Sequence, residues 1–290
     1  MATKKTKKRV TTKQKKVILL EELNWKQIDA FDRKKTVFFL PISPLEEHGP
    51  HLPVGTDLLT ARDAATEAIK LLNKKFPDLD YILLPAIPLG YCQFNTDFPG
   101  SFSISWKVVR EIIIGMGTSL ALHGFKHLVI CTYHMAGGHL KGIYAGMDHL
   151  RKKFDMKICE PWSPYFYSKE IEKQEPKLGF DTTKEIHAGF RETSMMKYQY
   201  PYLVDESHKK LQSIYRDISS PRVIGKKFKD LGLTDGYVGS PAKADADYGR
   251  WFFNLTATVY ANSALDLYHD KKTPELPAGV KLIIKSPFFR

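Results

Sequence analysis

The sequence predicts an α/β protein with a mainly parallel sheet, and three observations support this fold class. Apolar runs of five to eight residues alternate along the chain with longer stretches in which apolar residues recur at helical spacing. Such an alternation is typical of βαβ units, whose sheet is covered by helices on both faces. A loop rich in carboxylates and imidazoles, 46–57, follows one apolar run and leads into a helical stretch, where open α/β sheets place their chemistry.

The first half of the chain supplies two strands and two helices. Residues 35–43 have the β-branched and aromatic content of a buried strand, and 58–76 carries apolar residues at helical spacing. Residues 81–88 form a second apolar run, which we predict as a strand. Residues 105–123 are predicted as a helix from the spacing of its apolar positions, Val108, Val109, Ile112, Ile113, Met116 and Leu120.

The second half continues the same alternation less regularly. We predict a strand over 127–133, a helix over 140–154 and a short strand over 156–159. A long helix is expected over 242–267. The region 162–182 is rich in aromatic residues, proline and lysine, and no element is predicted there.

Length and composition indicate one folded domain over residues 17–290. The chain has 290 residues, 43% hydrophobic and 26% charged, and no linker rich in Pro, Gly or Ser divides it. No apolar run approaches the roughly 20 residues that a membrane-spanning helix needs, so a soluble protein is expected. The three cysteines, Cys92, Cys131 and Cys159, are scattered, which predicts reduced thiols and a cytoplasmic location.

The net charge of +12 comes mainly from the N-terminus. Residues 1–16 hold eight of the 44 basic residues and no acid, so 36 basic against 32 acidic residues remain elsewhere. A segment of this composition has little to bury, and we predict a disordered, solubilising tail over 1–16. Nucleic acid is therefore not expected as a partner, although a weak polyanion-binding arm is an alternative.

The loop 46–57 offers ligands for a divalent metal. Glu46 and His48 are two residues apart, so in an extended segment their side chains point to the same side. Asp57 follows where the next helix begins and is able to cap that helix or to coordinate an ion. Carboxylates with imidazoles suit Zn²⁺, Mn²⁺ or Fe²⁺. The structural alternative is a capped helix whose loop histidines are only hydrogen-bonded.

Two later clusters favour the metal site. The predicted strand 127–133 runs into a turn with His134 and His139, and a third segment carries His187 and Glu192 five residues apart. A single histidine in such a turn is usually structural. Three clusters, two of which follow strands, are harder to explain without a shared site.

These residues resemble the creatininase, or creatinine amidohydrolase, family. The signature loop of that family matches Glu46-x-His48-Gly-Pro-His-Leu-Pro-x-x-Thr-Asp57. Further similarities follow in the family's order, at 98–101, at the turn around His134, at 187–194, at 236–244 and at Gly249. The resemblance spans roughly residues 35–265.

The resemblance implies a three-layer α/β/α domain with a binuclear metal centre at the carboxyl edge of the sheet. By position, Glu46 and His134 would hold one metal, His48 and Glu192 the other, and Asp57 would bridge them. Two ions of Zn, Mn or Fe would then activate a water molecule. His187 is expected to protonate the leaving nitrogen, with Glu47 or His139 as alternatives. Family members are commonly homo-oligomers, often hexamers, so assembly is expected here.

The chain also departs from the family pattern. The turn after the central strand offers His134 or His139. Taking His134 as the metal ligand requires two extra residues before the paired glycines, whereas aligning Gly137 and Gly138 with the family puts Ala136 at the ligand position and His139 at that of an asparagine. We favour His134, because alanine cannot coordinate a metal. A histidine common upstream of residue 98 is replaced by Asn95. Creatininase itself has a carboxylate at the position of Ala136 and a tryptophan shortly before that of His187, and residues 182–186 contain none. Creatinine is therefore not the expected substrate.

Three functions remain open from the sequence. The favoured one is metal-dependent hydrolysis of a cyclic or linear amide of a small molecule. The second is ring opening of a keto-sugar or keto-inositol on the same fold, which the polar residues Asn95, Thr96 and Tyr133 would suit. The third is a non-enzymatic protein that binds a polyanion through its basic tail.

Overall fold

A parallel sheet of five strands forms the centre of the computed structural model, which describes residues 15–168, 170–217, 223 and 225–285. Its strand order is β1-β3-β2-β4-β5, and all four pairings are parallel. The strands are β1 (Ile18–Leu19), β2 (Thr36–Pro41), β3 (Asp80–Leu83), β4 (His127–Cys131) and β5 (Lys157–Cys159). Strands β2 and β4, whose loops carry predicted ligands, are therefore neighbours.

Helices connect and cover these strands. The described helices are α1 (Trp25–Asp29), α2 (Thr56–Lys75), α3 (Trp106–Leu122), α4 (Gly137–Phe154), α5 (Trp162–Phe166), α6 (Glu170–Gln174), α7 (Phe190–Gln199), α8 (Ala246–Tyr268) and α9 (Ala278–Lys285). Among the described residues no helix is long and apolar enough to cross a membrane.

Side-chain alternation along the sheet creates two cores. Val37 and Phe39 of β2 face a core shared with α2, α7 and α8, whereas Phe38 and Leu40 face a core shared with α3 and α4. All six residues of β2 are buried, as expected for a central strand covered on both faces. The predicted three-layer α/β/α fold is thus confirmed.

Close contact between α3 and α4 depends on glycine. A Cβ added at Gly142 would lie 2.6 Å from the Trp106 carbonyl oxygen, and one added at Gly146 would lie 2.8 Å from Ile113. Larger residues at these positions would push α4 away from α3 and from the sheet edge that it supports.

Each predicted strand and helix is present, but the observed boundaries differ from the predicted ones. The predicted strand 81–88 ends at Leu83, before Pro85 and Pro88, which lack the N–H that a sheet needs. The predicted helix 242–267 begins only at Ala246, because the Asp245 side chain accepts from the backbone N–H of Tyr248 and caps the helix there.

Six of the described helices and strands were not predicted, of which four, β1, α1, α7 and α9, lie outside the region 162–182. The region 162–182, left without a prediction, contains α5 and α6. Residues 1–14 of the predicted tail lie outside the described residues. Within the rest of that segment, Lys15 Nζ donates to the Leu79 carbonyl oxygen at 2.8 Å and lies 2.7 Å from Asp80 Oδ1.

Candidate metal centre

Ligand-type side chains from distant parts of the chain meet at the carboxyl edge of the sheet. The loop after β2 contributes Glu46 and His48, the first turn of α2 contributes Asp57, the turn after β4 contributes His134, and α7 contributes Glu192. Parallel strands end at the same edge, which is why loops far apart in sequence converge there. Among the described residues these side chains form sets whose ligand atoms lie within 4.8 Å of one another.

The first set combines Glu46, Asp57 and His134. His134 Nδ1 lies 2.8 Å from Glu46 Oε2 and 3.0 Å from Asp57 Oδ2. All three side chains are buried, with at most 7% of each residue exposed. Two carboxylates and an imidazole nitrogen thus point at one small, water-poor volume.

The second set combines His48, Glu192 and again Asp57. His48 Nε2 lies 3.3 Å from Asp57 Oδ1 and 3.9 Å from Glu192 Oε2. Asp57 therefore presents one carboxylate oxygen to each histidine. The five residues nominated as ligands thus lie close together, and His187 forms a further set with Glu46 and His48.

Backbone carbonyls orient both imidazoles. His48 Nδ1 lies 2.9 Å from the Glu46 carbonyl oxygen, and His134 Nε2 lies 2.9 Å from the Tyr91 carbonyl oxygen. When each of these nitrogens donates its hydrogen to the carbonyl, the opposite nitrogen is free to coordinate, as in many metal sites. The ligand atoms would be Nε2 of His48 and Nδ1 of His134.

Buried hydrogen bonds fix the start of α7, which carries Glu192. Glu185 Oε2 accepts from the backbone N–H groups of Phe190, at 2.6 Å, and Ser240, at 3.0 Å. Ala188 adopts a left-handed conformation with φ of 49°, and its N–H donates to Glu192 Oε2 at 2.5 Å. A non-glycine residue in this region is strained, and such strain is often found at functional sites.

His187 and Glu47 lie beside the two sets that share Asp57, in contact with each other. His187 Nε2 lies 2.8 Å from the Glu47 carbonyl oxygen and 3.4 Å from Glu47 Oε1. The ring of His187 lies 4.4 Å from that of His48, centroid to centroid. Asn95, which is 2% exposed, donates from Nδ2 to Glu47 Oε1 at 2.5 Å. The two predicted catalytic residues are therefore in contact at the edge of the site.

Electrostatics favour positive charge throughout this cluster. Burial alone would lower the pKa of His134, but the carboxylates of Glu46 and Asp57 outweigh burial and raise the pKa to about 10. Burial likewise opposes charge on His48, whose pKa is nonetheless raised well above its ordinary value by Asp57 and Glu192. Without a metal, the carboxylates thus favour the protonated, positively charged forms of His48 and His134, at positions that suit a cation.

One buried atom tests whether the site suits a metal. Glu46 Oε2 is buried and has no hydrogen-bond partner of acceptable geometry among the described residues, although His134 Nδ1 lies 2.8 Å away. Carboxylate oxygens and imidazole nitrogens in tight sets are the donors that Zn²⁺ and Mn²⁺ prefer. The residues present therefore fit divalent ions.

His139 occupies a different environment from His134. Its Nε2 lies 3.1 Å from Thr132 Oγ1, and its Nδ1 accepts from the Tyr91 N–H at 3.4 Å. Burial and the neighbouring His134 lower the pKa of His139 to about 3. Among the described residues, no candidate ligand set includes His139, so the geometry favours the predicted choice of His134.

Sequence reasoning missed several supporting groups. The carbonyls of Glu46 and Tyr91 leave no sequence signal, because every residue has a carbonyl. Gly236 is visible in the sequence as part of the motif 236–244, but its role is not. Its φ is +70°, and a Cβ there would lie 2.0 Å from Glu47 Oε2. Phe228 was not singled out, although its ring packs edge-on against His187 at 5.5 Å.

Comparison with protein families and curated proteins gives concordant matches. The sequence model of the family described as Creatininase: Creatinine amidohydrolase matches residues 21–263. A creatinine amidohydrolase of Pseudomonas putida is 26% identical over 204 residues, which cover 66% of this chain and 75% of that protein. A mycofactocin precursor peptide peptidase of Mycolicibacterium smegmatis is 28% identical over 112 residues, 39% of this chain and 44% of that protein.

Solved structures show the same fold. A structure described as creatininase Mn has a TM-score of 0.70 at 22% identity, covering 87% of this chain and 99% of the other. A mutant creatininase described as Zn-Zn type has a TM-score of 0.72 at 21% identity, covering 88% and 99%. At these identities the similarity establishes the fold.

Proposed function

The chain belongs to the creatininase family and is a metal-dependent hydrolase, and we propose that it hydrolyses an amide C–N bond. The observation that carries this proposal is the Asp57 carboxylate, which faces a different histidine with each oxygen. A bridging carboxylate between two ligand sets is what a two-ion hydrolase needs. The proposed ligands are Glu46, His134, His48 and Glu192, with Asp57 shared between the two sets.

Three of the five proposed ligands are held by hydrogen bonds to the backbone before any ion binds. Carbonyl oxygens set the ring orientation of His48 and His134, and the Ala188 N–H holds Glu192. Burial removes competing water from the carboxylates, so the interaction of the site with divalent cations is strong. We propose zinc or manganese as the metal, since both occur in the descriptions of similar structures.

The roles of the other site residues follow from their contacts. Divalent ions bound here would supply Lewis acidity, which polarises a carbonyl and lowers the pKa of water. His187 holds a hydrogen at Nε2 against the Glu47 carbonyl oxygen. Burial and His48 lower the pKa of His187, but Glu46 and Glu47 raise it more, so the ring is suited to give a proton to the leaving nitrogen.

Glu47 and its neighbours keep that proton donor in place. Both Glu47 oxygens are engaged, Oε1 by Asn95 Nδ2 and Oε2 by the Gly49 N–H at 2.9 Å. The buried Phe228 ring packs edge-on against His187, whose side chain is 11% exposed. We assign Glu47 the role of orienting His187 and of keeping its charge.

The names of the relatives support an amide as substrate. Creatinine amidohydrolase and mycofactocin precursor peptide peptidase are both named for cleavage of C–N bonds. We propose that creatinine is not the substrate, because Ala136 offers no ligand at the start of α4 and Glu192 takes that place in the second set. The non-enzymatic alternative is set aside, since the family is enzymatic. Ring opening of a keto-sugar, assembly into a homo-oligomer and a cytoplasmic location stay predictions.

Metal counting tests the ligand assignment without a known substrate. The purified chain is stripped with a chelator, reloaded with Zn²⁺ or Mn²⁺, desalted and analysed by mass spectrometry of the metals. We expect about two ions per chain, about one for Glu46→Gln or Glu192→Gln, and less than one for Asp57→Asn. His134→Gln should lose metal, and the matched control His139→Gln should keep it. Equal loss in both histidine variants would contradict the assignment of His134.

Activity tests the reaction class. The loaded enzyme is incubated with creatinine, cyclic amides, N-acylated amino acids and short peptides, and the released amine or ammonia is measured. We expect release from at least one amide other than creatinine and none after Glu46→Gln or His187→Ala. His187→Ala should keep its metal, which separates proton transfer from ion binding. Turnover of a keto-sugar with no amine released by any amide would refute the amide proposal.

A further inference from the structure

Exposed lysines collect at the end of the sheet opposite the candidate metal centre. Because the strands are parallel, the segments that enter them all lie at this amino-terminal end. Two lysine pairs end helices there, in the last turns of α2 and α4, and the others directly precede strands. We call this surface the basic pole and define it by Lys16, Lys34, Lys35, Lys74, Lys75, Lys152 and Lys153, all exposed.

None of these seven lysines forms an ion pair within the part of the chain that the structure describes. Other bases at this end take up the nearby acids, as in the pairs Lys15–Asp80 and Lys157–Asp270. Three exposed acids that form no ion pair with other described residues, Asp32, Asp78 and Asp155, lie within three residues of these lysines along the chain, against seven unpaired lysines. The basic pole therefore carries excess positive charge that no ion pair among the described residues neutralises.

The net charge of the whole sequence does not reveal how the fold distributes charged residues. Beyond the first 16 residues the chain has only four more basic than acidic residues. The opposite edge, however, concentrates the buried carboxylates of Glu46, Glu47 and Asp57. The near balance beyond the first 16 residues thus does not describe the local charge at the basic pole.

The N-terminal segment enters the domain at the same pole. Lys15 is attached to the start of β3 through its contacts with the Leu79 carbonyl oxygen and Asp80. Residues 1–14, which lie outside the described residues, contain six further basic residues and no acid in their sequence. Lys15, the first described residue after that segment, therefore lies at the basic pole.

A purely structural explanation covers part of this pattern. Cations stabilise helix C-termini through the helix dipole, which accounts for the lysines that end α2 and α4. It does not account for Lys16, Lys34 and Lys35, which lie before strands. It also does not account for the shortage of acids around them.

We propose that the basic pole binds the phosphate backbone of single-stranded nucleic acid. Lysines act as point charges that attract phosphates without reading sequence. Phe76, 41% exposed and adjacent to Lys74 and Lys75, offers a ring on which a base stacks. A membrane surface fits less well, because surface-bound helices lie flat on an apolar face, whereas α2 and α4 meet the pole with their ends. This inference does not depend on the proposed hydrolysis.

Fluorescence anisotropy with a labelled 20-nucleotide oligouridine RNA tests the proposal on the full chain between 50 and 200 mM NaCl. A pole variant replaces lysines at the ends of α2 and α4 by glutamate: Lys74, Lys75, Lys152 and Lys153. A control variant makes the same change in net charge near the catalytic edge: Lys173, Lys177, Lys209 and Lys210. We expect the pole variant to bind at least tenfold more weakly and the control to change less than threefold. If all four lysines contact phosphates, the logarithmic salt slope should become shallower by about 2 to 3.

Several results would overturn the proposal. Equal weakening of both variants would show that only the overall charge matters, and an unchanged pole variant would show that the pole is not used. Deletion of residues 1–14 should weaken binding but leave the difference between the variants; loss of that difference would assign binding to the N-terminus alone. Binding to vesicles with 30% phosphatidylserine, without binding to RNA, would identify a membrane surface instead. Circular dichroism and metal content verify that each variant is folded.

Discussion

The free energy of unfolding of Glu160→Gln, relative to the original chain, should rise with pH. Glu160 follows β5 and is 1% exposed. Its Oε1 accepts from the backbone N–H groups of Trp162 and Ser163 at 2.9 and 3.0 Å, and its Oε2 accepts from the Tyr144 hydroxyl at 3.1 Å. Burial raises the pKa of Glu160 to about 7, and these hydrogen bonds only partly oppose it. The folded protein therefore favours the protonated side chain.

The sign and size follow from linkage. A carboxyl pKa that is higher in the folded state leaves stability intact below about pH 4.5, where both states are protonated, and costs stability progressively up to about pH 7. The difference between 4.5 and about 7 corresponds to about 3 kcal/mol above pH 7. Glutamine keeps an acceptor for the two backbone N–H groups and carries no charge. Any fixed cost of its different geometry is the same at every pH.

Urea unfolding of the original chain and of Glu160→Gln, from pH 5 to pH 8, measures this effect. The free energy of unfolding of the variant relative to the original chain should rise with pH and level off above pH 7. Glu111→Gln, at an exposed position on α3, controls for removal of one negative charge. A difference that stays flat between pH 5 and pH 8, or that falls, would refute the reasoning.

Two other predictions concern the metal centre and the helix that supports it. Because His48 and His134 have raised pKa values in the metal-free protein, the latter about 10, loading with Zn²⁺ at pH 7 should release about two protons per chain. Calorimetry in buffers of different ionisation enthalpy counts them, and release of fewer than one would contradict the charge assignment. Gly249→Ala should lower stability by about 1–3 kcal/mol or more and reduce metal content, because its Cβ would lie 1.9 Å from the Ser194 carbonyl oxygen of α7. Gly115→Ala, with open space around it, should not destabilise the fold in thermal unfolding, and equal losses in both variants would show that packing against α7 is irrelevant.

Local pattern was sufficient for most of the fold. Strand β2 was predictable because a strand buried on both faces is apolar at every position. Helix α7 was not predictable in the same way, since its buried positions include Arg191, Thr193 and Ser194 as well as Met195. Where polar residues are buried beside a site, hydrophobic periodicity no longer marks the buried face of a helix.

The candidate site divides in a similar manner. Glu46, His48 and Asp57 lie in one loop and the helix that follows, so their spacing alone suggested a shared ion. The contact between Glu46 and His134 depends on the pairing of β2 with β4, which no local pattern specifies. The carbonyl oxygens that orient the histidines and the Asn95–Glu47 hydrogen bond depend on the full fold, and sequence reasoning had no means of locating them.

The Asp57 carboxylate has a consequence for how tolerant the centre is. Its two oxygens are joined through one carbon atom, so their spacing is set by covalent geometry, whereas the other members of the two sets come from three different segments. Small movements of α7 or of the turn after β4 therefore change the positions of Glu192 or His134 but not the spacing of the two shared oxygens. If the enzyme binds two ions as proposed, Asp57→Glu, which keeps the charge but lengthens the side chain, would shift the shared oxygens relative to both ligand sets at once.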